Sequence, residues 1–98
     1  MLTVTKTDEF DNWLRKLKDI QALARINKRI TRLELGNFGD YKSVNDKVFE
    51  LRIDYGPGYR VYFARKGNKI ILLLIGGDKS SQTRDIAYAK KLSTEYGA

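Results

Sequence analysis

The chain contains no cysteine and no histidine. The first absence removes disulfide staples, thiolate metal sites and thiol nucleophiles together. The second excludes Ser-His triads and most zinc sites, so any acid–base chemistry must come from Lys, Arg, Tyr, Glu or Asp. Long apolar runs are also missing. The longest, Ile70 to Ile75, is far too short to span a bilayer. Met1 to Lys6 has no apolar segment of the signal-peptide kind. A cytoplasmic protein with no membrane partner is therefore expected. Repeats, linkers and low-complexity tracts are absent as well.

What is present is positive charge, with 19 basic residues against 12 acidic and a net charge of +7 over 98 residues. It is spread evenly: residues 1–49 carry 10 basic and 7 acidic, and residues 50–98 carry 9 and 5. A distributed positive field on a folded domain favours polyanions, nucleic acid above all. A chain of this length forms one domain, residues 1–98, and buries about two-thirds of its unfolded surface, enough to fold unaided.

Periodicity predicts the elements. Leu2 to Thr5 reads as a short strand. Thr7 or Asp8 then caps a helix with apolar positions Phe10, Trp13, Leu14 and Leu17. A second helix runs from Ile20 to Leu35 and stops at Gly36, with Ile20, Leu23, Ile26, Ile30 and Leu33 on its apolar face. Its other face carries Arg25, Lys28, Arg29 and Arg32. Asn37 to Asp46 is turn-rich, with a weak strand around Tyr41 to Val44. Three strands follow, Val48–Asp54, Tyr59–Arg65 and Lys69–Ile75, joined by turns short enough to require an antiparallel meander. The uninterrupted apolar run of the last marks it as the central strand, covered on both faces. A final helix from Ser80 or Ser81 to about Lys91 has a thin apolar face (Ile86, Ala89, Leu92 and Tyr96). Such a face implies a mobile helix or one awaiting a partner.

The hairpin Glu50 to Phe63 turns at Gly56-Pro57-Gly58 and is the most informative stretch. Alternation puts Glu50, Arg52 and Asp54 on one side of its first strand and Leu51, Ile53 and Tyr55 on the other. On the returning strand, Arg60 and Tyr62 share a face opposite Tyr59, Val61 and Phe63. Whether Arg60 joins Arg52 depends on register, which sequence leaves open. If it does, a concave charged platform for an anion results. The plain alternative is a Glu50–Arg60 cross-strand ion pair contributing at most about 1 kcal/mol.

Gly76-Gly77-Asp78-Lys79-Ser80 resembles a phosphate-binding loop but fails the Walker spacing, since Asp78 separates glycine from lysine. What remains is Lys79 beside the amides of a helix start, which attract anions; a simple strand-to-helix turn accounts for the same residues. Gly56-Pro57-Gly58 lacks a third glycine and a following helix, so it is no dinucleotide fingerprint. The basic helix stripe is either a solvated face or a set of phosphate contacts.

The helix pair, the Glu-Leu-Arg strand, the Gly-Pro-Gly-Tyr-Arg-Val-Tyr-Phe hairpin, the apolar strand and the Gly-Gly-Asp-Lys-Ser-Ser-Gln helix start together resemble the RelE/ParE toxin superfamily. Within it, the nearest likeness is to the HigB-like addiction-module branch. The likeness covers roughly Phe10 to Leu92. It implies an α+β, RelE-like fold: a twisted antiparallel sheet, an N-terminal helical hairpin packed on one face, a charged cleft on the other, and a short C-terminal helix. It further implies the toxin of a type II toxin–antitoxin pair, a ribosome-dependent mRNA endoribonuclease that inhibits translation with no metal and no cofactor. The 2′-OH would attack the adjacent phosphate, leaving a 2′,3′-cyclic phosphate and a 5′-OH. That reaction needs a base, cations around the phosphorane and a proton donor.

By position, Arg60 matches the phosphate-binding arginine of RelE, Lys79 falls where RelE has an arginine, and Arg52 matches a basic position on the preceding strand. Val48 and Glu50 stand where RelE has two lysines, and the tyrosine of its last helix falls near Asp85. Glu50 thus becomes the candidate base, with Tyr62 second. Tyr62, Ser81, Gln82, Arg25, Arg29 and Arg32 are the candidate RNA-binding residues. Implied partners are the ribosome with its mRNA and a cognate antitoxin, expected to be a helix-turn-helix DNA-binding protein. Operator DNA would be bound only through their complex. Two rivals are a non-catalytic ParE-like DNA gyrase inhibitor and a basic nucleic-acid-binding module.

Overall fold

The computed structural model describes residues 1–45 and 47–98; Asp46, in the expected turn-rich segment, lies outside the described residues. The chain runs β1 (Thr3–Lys6), α1 (Asp8–Arg15), α2 (Ile20–Glu34), β2 (Tyr41–Ser43), β3 (Val48–Ile53), β4 (Tyr59–Lys66), β5 (Ile70–Asp78), a single 3₁₀ turn (Lys79–Ser81) and α3 (Gln82–Glu95). No helix among the described residues is long and apolar enough to cross a membrane.

Local chemistry sets the helix boundaries. The Thr7 hydroxyl accepts from the Phe10 amide at 2.9 Å, capping α1, and donates to the Leu74 carbonyl at 2.7 Å, which ties the cap to β5. Asp19 caps α2 by accepting from the Ala22 amide at 3.1 Å. The helix ends where Gly36 adopts φ +81°, the left-handed conformation that glycine takes at low cost.

The five strands form one α+β sheet in the order β1-β5-β4-β3-β2. The meander β3–β4–β5 is antiparallel as expected, but β1 pairs with β5 in parallel, so the sheet is mixed. Parallel pairing needs a long crossover, and here α1, α2 and the meander supply it. The middle strand is β4; the apolar β5 is interior and lies between β4 and β1.

Helices cover both faces. On one, Phe10, Ile26 and Leu33 pack with Leu51, Ile53, Val61, Phe63, Ile71 and Leu73. On the other, Ala89 and Leu92 of α3 pack with Val48, Tyr62, Ala64, Leu72, Leu74 and Ile75. The expectation of helices on one face only is therefore corrected. The last helix runs beyond its expected end, to Glu95; Ala89 and Leu92 are buried and Ile86 packs beside them as expected, Asp85 and Ser93 join the buried side, and Tyr96 is exposed. Small residues let this helix lie close to the sheet, which a count of large apolar residues overlooks. On α2, Ile20 at the first turn is 80% exposed and Ala22 is buried.

Two details shape the end of the sheet where α1 and α3 approach β5. A register shift between Tyr62 and Phe63 pairs Tyr62 with Ile75 but Phe63 with Leu73, adding one residue to β5. That bulge turns Ile75 toward α3 and reverses the facing of everything after it. Gly76 then faces Trp13 and Gly77 faces Asp85. A Cβ on Gly76 would lie 2.3 Å from the indole, and one on Gly77 would lie 1.9 Å from Asp85 Oδ2. The glycine pair lets a helix approach each side of the same strand. Gly76→Ala should therefore lower unfolding free energy by about 1–3 kcal/mol, the usual cost of forcing volume into a packed site. Denaturant titration measures it, and an unchanged midpoint would show that Trp13 gives way freely.

Candidate functional site

Register answers the question that sequence left open. Arg52 pairs directly with Arg60, and Glu50 with Tyr62, so all four side chains lie on the α3 face of the sheet. Past the end of α3, this face opens into a cleft of about 270 Å³ lined by Asp40, Arg52, Asp54, Gly58, Arg60 and Lys79. The structure thus brings Arg52, Arg60 and Lys79 together from two strands and the exit turn. Gly58 (φ +80°) sits between two of them: a Cβ there would meet Arg60 Nη1 at 3.3 Å and Lys79 Cβ at 3.5 Å.

The three cations differ in how much charge they can offer. Arg52 Nη2 lies 3.2 Å from Asp40 Oδ1, on the surface. Arg60 Nε lies 2.9 Å from Glu50 Oε1; its N–H is off that line, so the attraction is ionic rather than a directed hydrogen bond. Arg60 Nη1 donates to the carbonyls of Gly58 at 3.1 Å and Tyr59 at 3.4 Å. Lys79 is exposed and, among the described residues, belongs to no ion pair.

Glu50 is not in the cleft. It is fully buried, and both its oxygens accept from Gln82 Nε2, at 3.1 and 3.0 Å. A carboxylate sealed in this way cannot reach a ribose hydroxyl, which corrects its candidacy as base. Tyr62 is likewise fully buried, so it neither acts as base nor stacks on RNA. Burial, reinforced by Glu50 and Asp85 and opposed by Arg60, pushes its phenol far above the ordinary value and keeps it protonated. Its hydroxyl finds no hydrogen-bond partner among the described residues.

The remaining candidates divide. Ser81 donates to Asp85 Oδ2 at 2.5 Å and Gln82 is committed to Glu50, so both anchor α3 instead of facing a ligand. Arg29 binds the backbone carbonyls of Arg52, Phe38 and Asp40 (the last two at 3.1 Å), clamping the 38–40 loop to the end of β3. Burial lowers its guanidinium below the ordinary arginine value, Asp40 opposing the shift and Arg32 adding to it. Arg25 lies 4.5 Å over the Tyr55 ring. Arg25, Lys28, Arg29 and Arg32 line a second groove of about 200 Å³ with Ile53 and Asp54. Asp54 borders both grooves. Sequence reasoning passed over Asp54 and Asp40 as site residues. Asp54 had a signal in its alternation with Arg52, whereas Asp40 arrives from a loop and had none.

Asp78 orders the turn that carries Lys79. Its carboxylate accepts from the Ser80 amide at 2.8 Å and hydroxyl at 2.5 Å, while Ser81 Oγ accepts from the Asp78 amide at 3.4 Å, completing a capping box. The Ser80 hydroxyl is the main reason its carboxyl titrates below the ordinary range; partial burial opposes, and the Ser80 and Ser81 amides and Arg84 add to the depression.

An α+β protein with one mixed sheet and a cation-lined cleft is thus the class that the fold and site define. The profile of the family described as "Phage derived protein Gp49-like (DUF891)" matches residues 12–94. The chain belongs to this family, a RelE/ParE-like toxin family. It is also 55% identical, over 96 residues, to an uncharacterized protein of Haemophilus influenzae, a match covering 98% of this chain and 97% of the other.

A depressed carboxyl stabilises the fold above its unfolded pKa, and that contribution disappears as pH falls through the folded value. Asp78→Ala should cost about 1 kcal/mol at neutral pH, a deficit that shrinks below about pH 4. Denaturant titrations of both proteins at pH 7 and pH 3 measure it. An equal deficit at both would remove the carboxylate from the account.

Proposed function

We propose that the protein is the toxin of a type II toxin–antitoxin system, a HigB-like member with a RelE-like fold, and that it cuts mRNA on the ribosome in the cytoplasm. The observation that carries the reading is the meeting of Arg52, Arg60 and Lys79 in one cleft. Family membership supports the toxin class. Preorganised cations around a phosphodiester stabilise the added charge of a phosphorane far better than water does.

In this reading Arg60 and Arg52 grip the non-bridging oxygens. With Glu50 and Tyr62 buried, the base is Asp54, a cleft carboxylate that is in no ion pair among the described residues. The 2′ oxygen bonds to phosphorus, its proton passes to Asp54, the bond to the 5′ oxygen breaks, and Lys79 supplies the proton that the leaving oxygen takes up. The products are a 2′,3′-cyclic phosphate and a 5′-OH. The groove along α2 would take neighbouring phosphates of mRNA or ribosomal RNA. A cognate antitoxin, a helix-turn-helix protein, would cover the cleft and carry the complex to operator DNA.

The loss of Glu50 and Tyr62 from the cleft favours a second reading, a non-catalytic gyrase inhibitor that needs no base. Inducible expression separates the two. The nuclease reading expects translation arrest with mRNA cuts that vanish in Arg60→Ala and Lys79→Ala, and a rate lower by about 10²–10⁴-fold in Asp54→Asn. Intact mRNA with cleaved or relaxed DNA supports the gyrase reading and overturns the nuclease.

A further inference from the structure

The least economical feature of the molecule is a fully buried carboxylate, Glu50, on the face that also holds Val48, Tyr62, Ala64 and Leu72. An apolar residue would pack there without the penalty of stripping water from a charge. The carboxylate is matched on both sides: Gln82, the first residue of α3, donates to each oxygen, and Arg60 places Nε 2.9 Å from one of them. Arg60 is itself only 13% exposed at the side chain, yet it lines the open cleft. Its contacts with Glu50 and with the Gly58 and Tyr59 carbonyls use Nε and Nη1 and leave Nη2 for a ligand.

We propose that Glu50 is a positioning residue, bracketed by Gln82, whose task is to hold the Arg60 guanidinium in the orientation that receives a phosphodiester. The proposal rests on the reading of the cleft as a phosphodiester site. A long arginine left to itself samples many rotamers, and ordering it only on binding costs affinity. The bracket removes that cost in advance, with one edge of the fork held by a fixed anion below and by two carbonyls beside it. Because Gln82 begins α3, the aim of Arg60 depends on how that helix is seated. The seat is in turn set by Gly77, which pairs with Arg60 and leaves room for Asp85.

The same geometry would also serve a purely structural pair, and a double-mutant cycle separates the two. Binding of the full chain to a short single-stranded RNA, 2′-O-methylated throughout so that it cannot be cut, is measured by fluorescence anisotropy. The proteins are wild type, Glu50→Gln, Arg60→Ala and the double variant. Glu50→Gln keeps the volume and should weaken binding about tenfold in the wild-type background and less than about twofold when Arg60 is already Ala. The Arg60 Nε–H resonance should move in Glu50→Gln, a change that stability alone does not produce. Gln82→Leu, at the half-buried first residue of α3, serves as the second variant if Glu50→Gln does not fold. It should weaken binding in the same Arg60-dependent manner.

An Arg60→Ala loss with no effect of Glu50→Gln or Gln82→Leu overturns the positioning role and leaves the nuclease reading standing. Equal losses with and without Arg60 also overturn it, since Glu50 would then act elsewhere. No loss in Arg60→Ala defeats the phosphodiester reading itself, and the proposal with it.

Discussion

A carboxylate with no access to water needs partners, and the cleft end of this molecule is arranged around that requirement. Taking an ion the size of a carboxylate out of water costs several kcal/mol even after the protein relaxes. Glu50 recovers this only because a guanidinium on the next strand and an amide on α3 both reach it. One group thereby binds three elements. Removing any of the three partners would leave a buried polar atom unmatched, so β3, β4 and the start of α3 are constrained as a unit. The glycines of β5 are the steric counterpart, because the helix can reach Glu50 only if the strand beneath it has no side chain at Gly77.

The cleft beyond this unit gathers three cations and two carboxylates, and its charge is unevenly available. Arg60 is oriented by burial, Arg52 is loosely matched by Asp40 on the surface, and Lys79 stands at the mouth on a turn held by the Asp78 capping box. One cation is thus held by burial, one is matched at the surface and one is exposed without an ion pair among the described residues, an arrangement that attracts anions. Over longer distances the net charge of +7 draws polyanions toward any such surface, an effect that salt weakens.

How much of this was legible varies with the range of the interaction. The Thr7 cap, the α1 stripe, the α2 stripe apart from Ile20, the Gly-Pro-Gly hairpin and the three-strand meander are short-range features, and they read correctly from spacing; the Asp19 cap was not read. The parallel β1–β5 pairing did not, since nothing in four residues names a partner more than sixty positions away. The polar part of the α3 contact face was also hidden. That face is made of Ala89, Ser93 and Asp85 as much as of Leu92, and small or polar residues count as buried only when the opposing surface is known.

The site divides along the same line. By itself the sequence determined which groups exist: no thiol, no imidazole, an excess of lysine and arginine, and a strand on which Glu50, Arg52 and Asp54 alternate with apolar neighbours. It also determined that β3 and β4 must meet through a tight turn. Only the tertiary structure decided which carboxylate is spent on the fold and which faces the cleft. Glu50 and Asp54 share a strand face and a chemistry, but α3 extends over the first and stops short of the second. Accessibility comes from what packs on a side chain, and that depends on a helix that begins only at Gln82, two strands further along the chain.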